Sequence, residues 1–84
     1  MNTYIFTSDP GHGWLHVKRA ELFAAGVADI ISEYSYQHGD TVYLEEDCDA
    51  TCFLDALKAK GIEYRFDERT VNSKPIRRYD RFKA

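Results

Sequence analysis

The spacing of apolar residues along the chain switches between a period of two and a period near 3.6, and each switch marks a different element. Runs of alternating or β-branched residues predict strands at residues 3–7, 14–17, 34–38, 40–45, 62–67 and 76–82. Helical spacing predicts a main helix over residues 50–60 and a shorter helical segment over residues 18–32. This order indicates an α+β domain with a mostly antiparallel sheet and the main helix packed on one face.

Both ends of the main helix carry recognisable signals. Asp49 occupies the position where an N-cap carboxylate accepts a backbone N–H, and Gly61 the position of a left-handed C′ residue. Ile62 would then contact Leu57, as in a Schellman ending. The sequence therefore predicts a helix that starts next to Asp49 and stops at Gly61.

The connections are predicted from glycine, proline and the apolar pattern. A loop over residues 8–13 joins the first two strands in a hairpin, and Gly39 with Asp40 turns a second hairpin. Gly26 is expected to end the first helix, and a short helical turn should follow it. Three residues of that turn are expected to face inward: Val27, Ile30 and Ile31.

The run over residues 62–67 is the cleanest period-2 pattern in the chain. Ile62, Tyr64 and Phe66 fall on one side of this strand, and charged residues fall on the other. We therefore expect one face of the strand to be buried. Residues 70–75 have the composition of a loop.

The length of 84 residues corresponds to a single domain, 1–84, with a thin core. Twelve aromatic residues compensate, because each buries roughly 150–250 Å². This composition excludes a disordered chain.

Charge is distributed unevenly about a net value of −3. Residues 1–64 hold eleven acidic and four basic residues, whereas residues 65–84 hold three acidic and seven basic ones. Between Asp40 and Asp55 there are six acids and no base. This acidic stretch would repel nucleic acid and attract basic partners, and the C-terminal segment would do the reverse.

The acidic stretch supplies the main candidate site, a partner-binding surface. One alternative is a solvated helix start that complements the helix dipole. Another is a metal site with His12 or His38 as an additional ligand, although the spacing matches no EF-hand or zinc signature. The predicted partner-binding residues are Glu45, Glu46, Asp47, Asp49, Asp55 and Tyr43.

A second candidate site is the loop that contains Asp9, His12 and Trp14. A carboxylate near His12 would raise its proton affinity and suit it to acid–base chemistry or ligand binding. Alternatively, Asp9 caps the turn and Trp14 anchors it to the core. The glycine spacing matches neither common phosphate-binding pattern.

The third candidate is a basic and aromatic edge over residues 65–83, which could follow a phosphate backbone. Charged residues on an edge strand also prevent sheets from pairing with one another. The overall acidic charge disfavours direct nucleic-acid binding. The basic residues of this edge are Arg65, Arg69, Lys74, Arg77, Arg78, Arg81 and Lys83.

Cys48 and Cys52 are four residues apart on one helix, and this spacing does not make a disulfide framework. We interpret them as reduced thiols of a cytoplasmic protein. The longest apolar run is too short to span a membrane, and residues 1–4 lack the basic region of a signal peptide.

Three stretches carry a resemblance: Asp-Pro-Gly-His-Gly-Trp-Leu at 9–15, Tyr-Ser-Tyr at 34–36 and Tyr-Leu-Glu-Glu-Asp-Cys-Asp-Ala at 43–50. Together they resemble a family of small uncharacterised proteins encoded by phages, prophages and plasmids of proteobacteria. The resemblance implies no particular chemistry. It implies an accessory protein that acts in the host cell, in the manner of antagonists of nucleic-acid-handling or defence complexes such as anti-CRISPR proteins.

The sequence thus favours a non-catalytic protein that docks on a basic surface of a host protein, without a cofactor, a metal or a membrane partner. A homodimer is left open. The alternatives are a ligand-binding or catalytic site at Asp9, His12 and Trp14, and nucleic-acid binding through residues 65–83.

Overall fold

A computed structural model describes residues 2–70 and 75–84 of the chain. The fold is α+β: one six-stranded mixed sheet with two helices, as the sequence predicted. The strands are β1 (Asn2–Ser8), β2 (Gly13–Lys18), β3 (Tyr36–His38), β4 (Thr41–Glu45), β5 (Tyr64–Thr70) and β6 (Asp80–Arg81). The helices are α1 (Arg19–Ala25) and α2 (Thr51–Ala59), and a π-helical turn (Glu46–Ala50) leads directly into α2. Two short 3-10 turns complete the described elements, Ala28–Ile30 and Pro75–Arg78.

The sheet has the strand order β5-β1-β2-β4-β3-β6. Both predicted hairpins are confirmed, because β1 pairs antiparallel with β2 and β3 pairs antiparallel with β4. The sheet is mostly antiparallel, as expected, but β5 pairs parallel with β1 at one edge. Parallel pairing follows from the α2 crossover, which returns the chain to the same end of the sheet.

Both helices pack on one face of the sheet. Leu15 and Val17 of β2 point to this face and share a buried cluster with Leu22 of α1 and with Phe53 and Leu57 of α2. Because side chains alternate along a strand, the intervening residues of β2 point to the other face. The described helices leave that other face uncovered.

Each helix ends at the glycine that the sequence predicted as its C-terminal stop. Gly26 and Gly61 have positive φ angles of 77° and 72°. The N–H of Ile62 donates to the carbonyl oxygen of Leu57 at 2.9 Å, which is the long hydrogen bond of a Schellman ending. The helix stop was therefore readable from sequence.

The start of the main helix differs from the prediction. The helical segment begins at Glu46, and Glu45 is its N-cap instead of Asp49. The prediction was wrong because Glu is an uncommon N-cap residue and Asp a preferred one. The tertiary position of Asp49, described below, gives its carboxylate other partners.

The predicted burial of two segments is also wrong. In the turn after α1, Val27 and Ile31 are buried but Ile30 is exposed. In β5, Tyr64 is half-buried, whereas Phe66 is 42% exposed and Ile62 precedes the strand. The period-2 pattern was real, but an edge strand has less of the core to pack against.

The last predicted strand, residues 76–82, is mostly a 3-10 turn followed by the two-residue strand β6. Strand β6 pairs with β3 at the opposite edge of the sheet from β5. The loop predicted over residues 70–75 falls largely on residues 71–74, which lie outside the described residues.

Candidate functional site

The carboxylate of Glu45 caps the N-terminus of the main helix. It lies at the end of β4 and is almost entirely buried. Its Oε2 accepts hydrogen bonds from the backbone N–H of Asp47 at 3.0 Å and of Cys48 at 3.1 Å. These are two of the donors that a helix start leaves without intrahelical partners. Glu45 therefore serves the fold and offers a partner little surface.

Asp49 is also internal, with only 3% of its surface exposed. Its Oδ1 accepts a hydrogen bond from the backbone N–H of Ser32 at 3.1 Å. Its Oδ2 accepts from the hydroxyls of Ser32 at 2.6 Å and Ser35 at 2.5 Å. The Ser35 hydroxyl in turn accepts from the N–H of Glu45 at 3.0 Å. This network fastens the loop over residues 31–35 to the start of the main helix.

Two of the five predicted surface carboxylates are thus used inside the molecule, and three remain outside. Glu46, Asp47 and Asp55 are exposed, and none of them makes an ion pair with another described residue. A Cβ added at Gly13 would come within 2.5 Å of both Glu46 Oε2 and the Phe6 ring, so a larger residue there would displace these side chains.

The loop over residues 31–35 and the 3-10 turn before it present two large apolar side chains to solvent. Ile30 is 65% exposed and Tyr34 is 61% exposed. Asp29 and Glu33, in the same segment, are exposed as well. We use the name acidic surface for the exposed residues of this segment and of the main helix: Asp29, Ile30, Glu33, Tyr34, Glu46, Asp47 and Asp55.

Sequence reasoning found the acids of the main helix but missed the loop. Ile30 was expected to face inward because its apolar character suited a helical turn. Nothing in the local sequence indicates that Ser32 and Ser35 would reach Asp49.

Tyr43, the remaining predicted partner-binding residue, lies on the sheet face opposite the helices. Its ring contacts His16, with centroids 4.7 Å apart, and Tyr79, with centroids 5.1 Å apart. Burial raises the pKa of Tyr43, and the neighbouring Tyr79 raises it further. The half-buried Tyr43 therefore belongs to a different region from the acidic surface.

We use the name aromatic face for this side of the sheet, which the strand register and ring contacts define. Trp14 contacts Tyr36 in an edge-to-face arrangement at 5.4 Å, and the guanidinium of Arg81 lies over the Tyr36 ring. His38 stacks on Tyr79 at 4.4 Å. The residues of this face are Trp14, His16, Tyr36, His38, Tyr43 and Tyr79.

His16 is a half-buried titratable group on the aromatic face. Its Nε2 is 2.8 Å from the hydroxyl oxygen of Thr7, which is close enough for a hydrogen bond. Burial lowers the pKa of His16, and the positive charge of Arg69 lowers it further. The imidazole is therefore held in its neutral form more firmly than an exposed histidine would be.

The loop with Asp9, His12 and Trp14 forms a tight turn. Asp9 Oδ1 accepts hydrogen bonds from the backbone N–H of Gly11 at 2.8 Å and of His12 at 2.9 Å. The His12 side chain is exposed, whereas Trp14 is 4% exposed and its ring contacts that of Tyr36. These contacts agree with the interpretation in which Asp9 caps the turn and Trp14 anchors it.

The thiols of the main helix are free, and their surroundings favour the protonated form. Desolvation and the carboxylates of Glu45 and Asp49 raise the pKa of Cys48. Burial, with Asp49 and Asp55, raises the pKa of Cys52. A low-pKa nucleophile is therefore disfavoured at both positions.

The basic edge is divided between strands in the part of the chain that is described. Arg65 and Arg69 are on β5, and Arg69 forms an ion pair with Asp67 at 2.9 Å. Arg81 Nη1 donates to the carbonyl oxygen of Glu33 at 2.9 Å. Lys74 lies outside the described residues.

Residues 2–70 and 75–84 contain no group of three or more His, Cys, Asp or Glu side chains placed to hold a metal ion. They include no helix long and apolar enough to cross a membrane.

Comparison with known proteins adds no relative. No protein-family model, no curated protein and no solved structure matches this chain.

Proposed function

We propose that this protein is a non-catalytic binding protein that docks on a basic surface of a partner protein through its acidic surface. The carrying observation is that two exposed apolar side chains, Ile30 and Tyr34, lie in a segment with the exposed carboxylates of Asp29 and Glu33. Asp49 joins this segment by hydrogen bonds to the helix start, which carries Glu46 and Asp47. Buried anchors surrounded by a charged rim are the usual anatomy of a protein interface.

The loop and the helix support this role together because the Asp49 network holds them in one arrangement. Tyr34 is tied to the network directly, since its N–H donates to the Ser32 hydroxyl at 3.2 Å. An anchor that is ordered before binding loses less conformational entropy on association. The surface is therefore preorganised.

Charge determines which partner suits this surface. Carboxylates around an apolar anchor favour a partner with lysine and arginine around an apolar pocket, and they speed the encounter by electrostatic steering. Surfaces of proteins that contact nucleic acid are basic in this way, and we propose that the partner surface is one of them. Occupying it would exclude DNA or RNA from the host complex.

The test is capture of binding proteins from a bacterial lysate, with matched variants compared by quantitative mass spectrometry. The surface variant reverses three charges, Glu46→Lys, Asp47→Lys and Asp55→Lys. The control variant reverses three exposed acids elsewhere, Asp40→Lys, Glu63→Lys and Glu68→Lys, so that both carry the same net charge. We expect a basic protein to bind the natural chain and the control variant but not the surface variant.

A further variant separates the anchor from the charge. Tyr34→Ala should weaken binding of the same partner by about 2 kcal/mol, as expected for an interface hot spot. Raising the salt concentration should weaken binding of the natural chain because exposed charges are screened. Equal loss in the surface and control variants would mean that net charge alone matters, and the proposal would be abandoned.

A second candidate function is single-stranded nucleic-acid binding on the aromatic face. It is favoured by the strand register, which places Arg65 and Arg69 beside Thr3 and Thr7, on the same side of the sheet as His16. It is weakened by the ring contacts, which already pack the aromatic side chains against one another. A gel shift with single-stranded DNA at low salt, lost in Arg65→Glu/Arg69→Glu, would support this candidate over the first.

A further inference from the structure

The outer edge of β5 faces no other described strand, because β5 lies at one end of the sheet order. The N–H of Asn2 in β1 donates to the carbonyl oxygen of Glu63 at 3.1 Å, and alternate residues of a strand bond to the same side. The backbone groups of the odd-numbered residues of β5 therefore point towards β1. Those of Tyr64, Phe66 and Glu68 point outwards, where a further strand can pair with them.

Exposed apolar side chains accompany these backbone groups. Phe66 is 42% exposed, and Ile62 just before the strand is 37% exposed. The Phe66 ring contacts the rings of Phe6 and Tyr64, with centroids 6.1 Å and 5.5 Å apart, but these contacts leave much of it in solvent. A seven-residue edge strand with exposed apolar side chains is a template for pairing with another chain.

The charges of β5 indicate which chain pairs there, because they complement a second copy of the same strand. In an antiparallel pair centred on Phe66, Arg65 of each copy lies opposite Asp67 of the other. Glu63 and Arg69 face each other in the same way. Opposite charges at facing positions stabilise a strand pair, and the aromatic pair at the centre adds to this. Asp67 also retains Arg69 of its own chain, at 2.9 Å, because a carboxylate accepts several donors.

The neighbouring symmetric registers lack this complementarity. Facing side chains lie on the same side of the sheet, so a symmetric register is centred on a residue, and the next choices are Arg65 and Asp67. Centring on Arg65 sets two arginines face to face and Glu63 opposite Asp67. Centring on Asp67 sets two aspartates face to face and Arg65 opposite Arg69. Like charges at facing positions destabilise a pair, so the charge pattern favours the register centred on Phe66.

We propose that two copies of this chain associate as a symmetric dimer through the outer edges of β5, in the antiparallel register centred on Phe66. The two six-stranded sheets then form one continuous sheet. Every contact occurs twice, as in any two-fold interface. The interface shares no residue with the acidic surface, so the dimer and the proposed docking function can fail separately.

Sedimentation velocity from micromolar to millimolar concentration tests the dimer, and we expect a monomer–dimer equilibrium for the natural chain. Arg65→Asp sets acids opposite one another at two contacts, and Asp67→Arg sets arginines there, so each should weaken the dimer at least about tenfold. Lys83→Asp makes the same charge change as Arg65→Asp at an exposed residue beyond β6, at the other end of the sheet, and should leave the dimer intact. Equal weakening by Lys83→Asp would overturn the proposal. A natural chain that stays monomeric would also overturn it and leave the edge to a strand of another protein.

Mixing the two β5 variants tests the register itself. A heterodimer of one Arg65→Asp chain and one Asp67→Arg chain has opposite charges at both contacts again. The mixture should therefore dimerise about as tightly as the natural chain, although neither variant does so alone. Misfolded variants would not rescue one another, and a mixture that stays monomeric would refute the register.

Cysteine cross-linking in a Cys48→Ser/Cys52→Ser background locates the two-fold axis. Residue 66 faces its own copy at about 5.5 Å between Cα atoms, which is within disulfide range, so Phe66→Cys should link two chains on oxidation. Glu68→Cys is the control, because its two copies lie about 14 Å apart along the strands. Equal cross-linking at the two positions, or none at residue 66, would contradict the proposed pairing.

Discussion

The start of the main helix places chemically similar carboxylates in two different environments within five residues. Glu45 and Asp49 point inward and accept five hydrogen bonds between them from backbone and hydroxyl donors. Glu46 and Asp47 point outward and make no ion pair with described residues. The inner pair builds the scaffold, and the outer pair remains exposed to solvent. Residue type alone therefore does not assign a role to an acid in this segment.

The largest effect should come from removing the inner carboxylate with the most donors. Asp49→Ala leaves the buried hydroxyl of Ser35 and the N–H of Ser32 without their acceptor. We expect a loss of about 3 kcal/mol in the free energy of unfolding, measured by urea denaturation. Asp47→Ala is the matched control and should change stability by no more than about 0.5 kcal/mol. Similar losses in both variants would erase the distinction between inner and outer acids.

The capping carboxylate should have a smaller effect. Glu45→Ala removes the acceptor for the N–H groups of Asp47 and Cys48, and loss of a helix cap typically costs about 1 kcal/mol. Glu46→Ala should leave the unfolding midpoint nearly unchanged, since Glu46 is exposed. Hydrogen exchange at Asp47 and Cys48 should also become faster in Glu45→Ala. If these amides kept their protection, a different group would be capping the helix.

His16 on the aromatic face should make the stability of the protein depend on pH. Burial and Arg69 lower the pKa of His16 in the folded protein below the ordinary value of about 6.5. The unfolded chain therefore binds a proton more readily than the folded protein. Stability should be constant with respect to His16 above about pH 6.5 and should fall as the pH drops from there towards the lowered pKa.

His16→Gln isolates this contribution. The variant should show a shallower loss of stability than the natural chain between neutral and mildly acidic pH, measured as urea midpoints across that range. Parallel pH profiles of the two proteins would mean that His16 titrates alike in the folded and unfolded states.

The smallest expected effect concerns reactivity and not stability. The carboxylates near Cys48 raise its pKa, so its alkylation by iodoacetamide should require a higher pH than that of an unperturbed thiol. In a Cys52→Ser background, Asp47→Asn should move the alkylation profile slightly towards lower pH. Glu45→Gln should move it further, because Glu45 contributes more strongly. The reverse order would place Asp47 closer to the thiol than Glu45.

The elements with local causes were predictable from sequence. Gly26 and Gly61 end their helices because the left-handed conformation after a helix is easily adopted only by residues such as glycine. The two hairpins followed from turn residues between β-forming runs. The exposure of Glu46, Asp47 and Asp55, three of the seven residues of the acidic surface, was also predictable, because they lie outside the apolar stripe of the helix.

Features that depend on distant residues were not predictable. The cap position went to Glu45 because Asp49 binds Ser32 and Ser35, which are 17 and 14 residues away along the chain. Phe66 is exposed because β5 lies at the edge of the sheet, and a period-2 pattern cannot reveal strand order. The exposed position of Ile30 depends in the same way on how its loop meets the main helix.

By itself, the sequence determined the number and type of most elements, because these depend on residues a few positions apart. It also determined where acidic and basic residues are concentrated along the chain. The tertiary structure decided which acids face inward and which apolar side chains face solvent. Those outcomes depend on hydrogen bonds and packing between segments that meet only when the chain folds, and no local spacing encodes them.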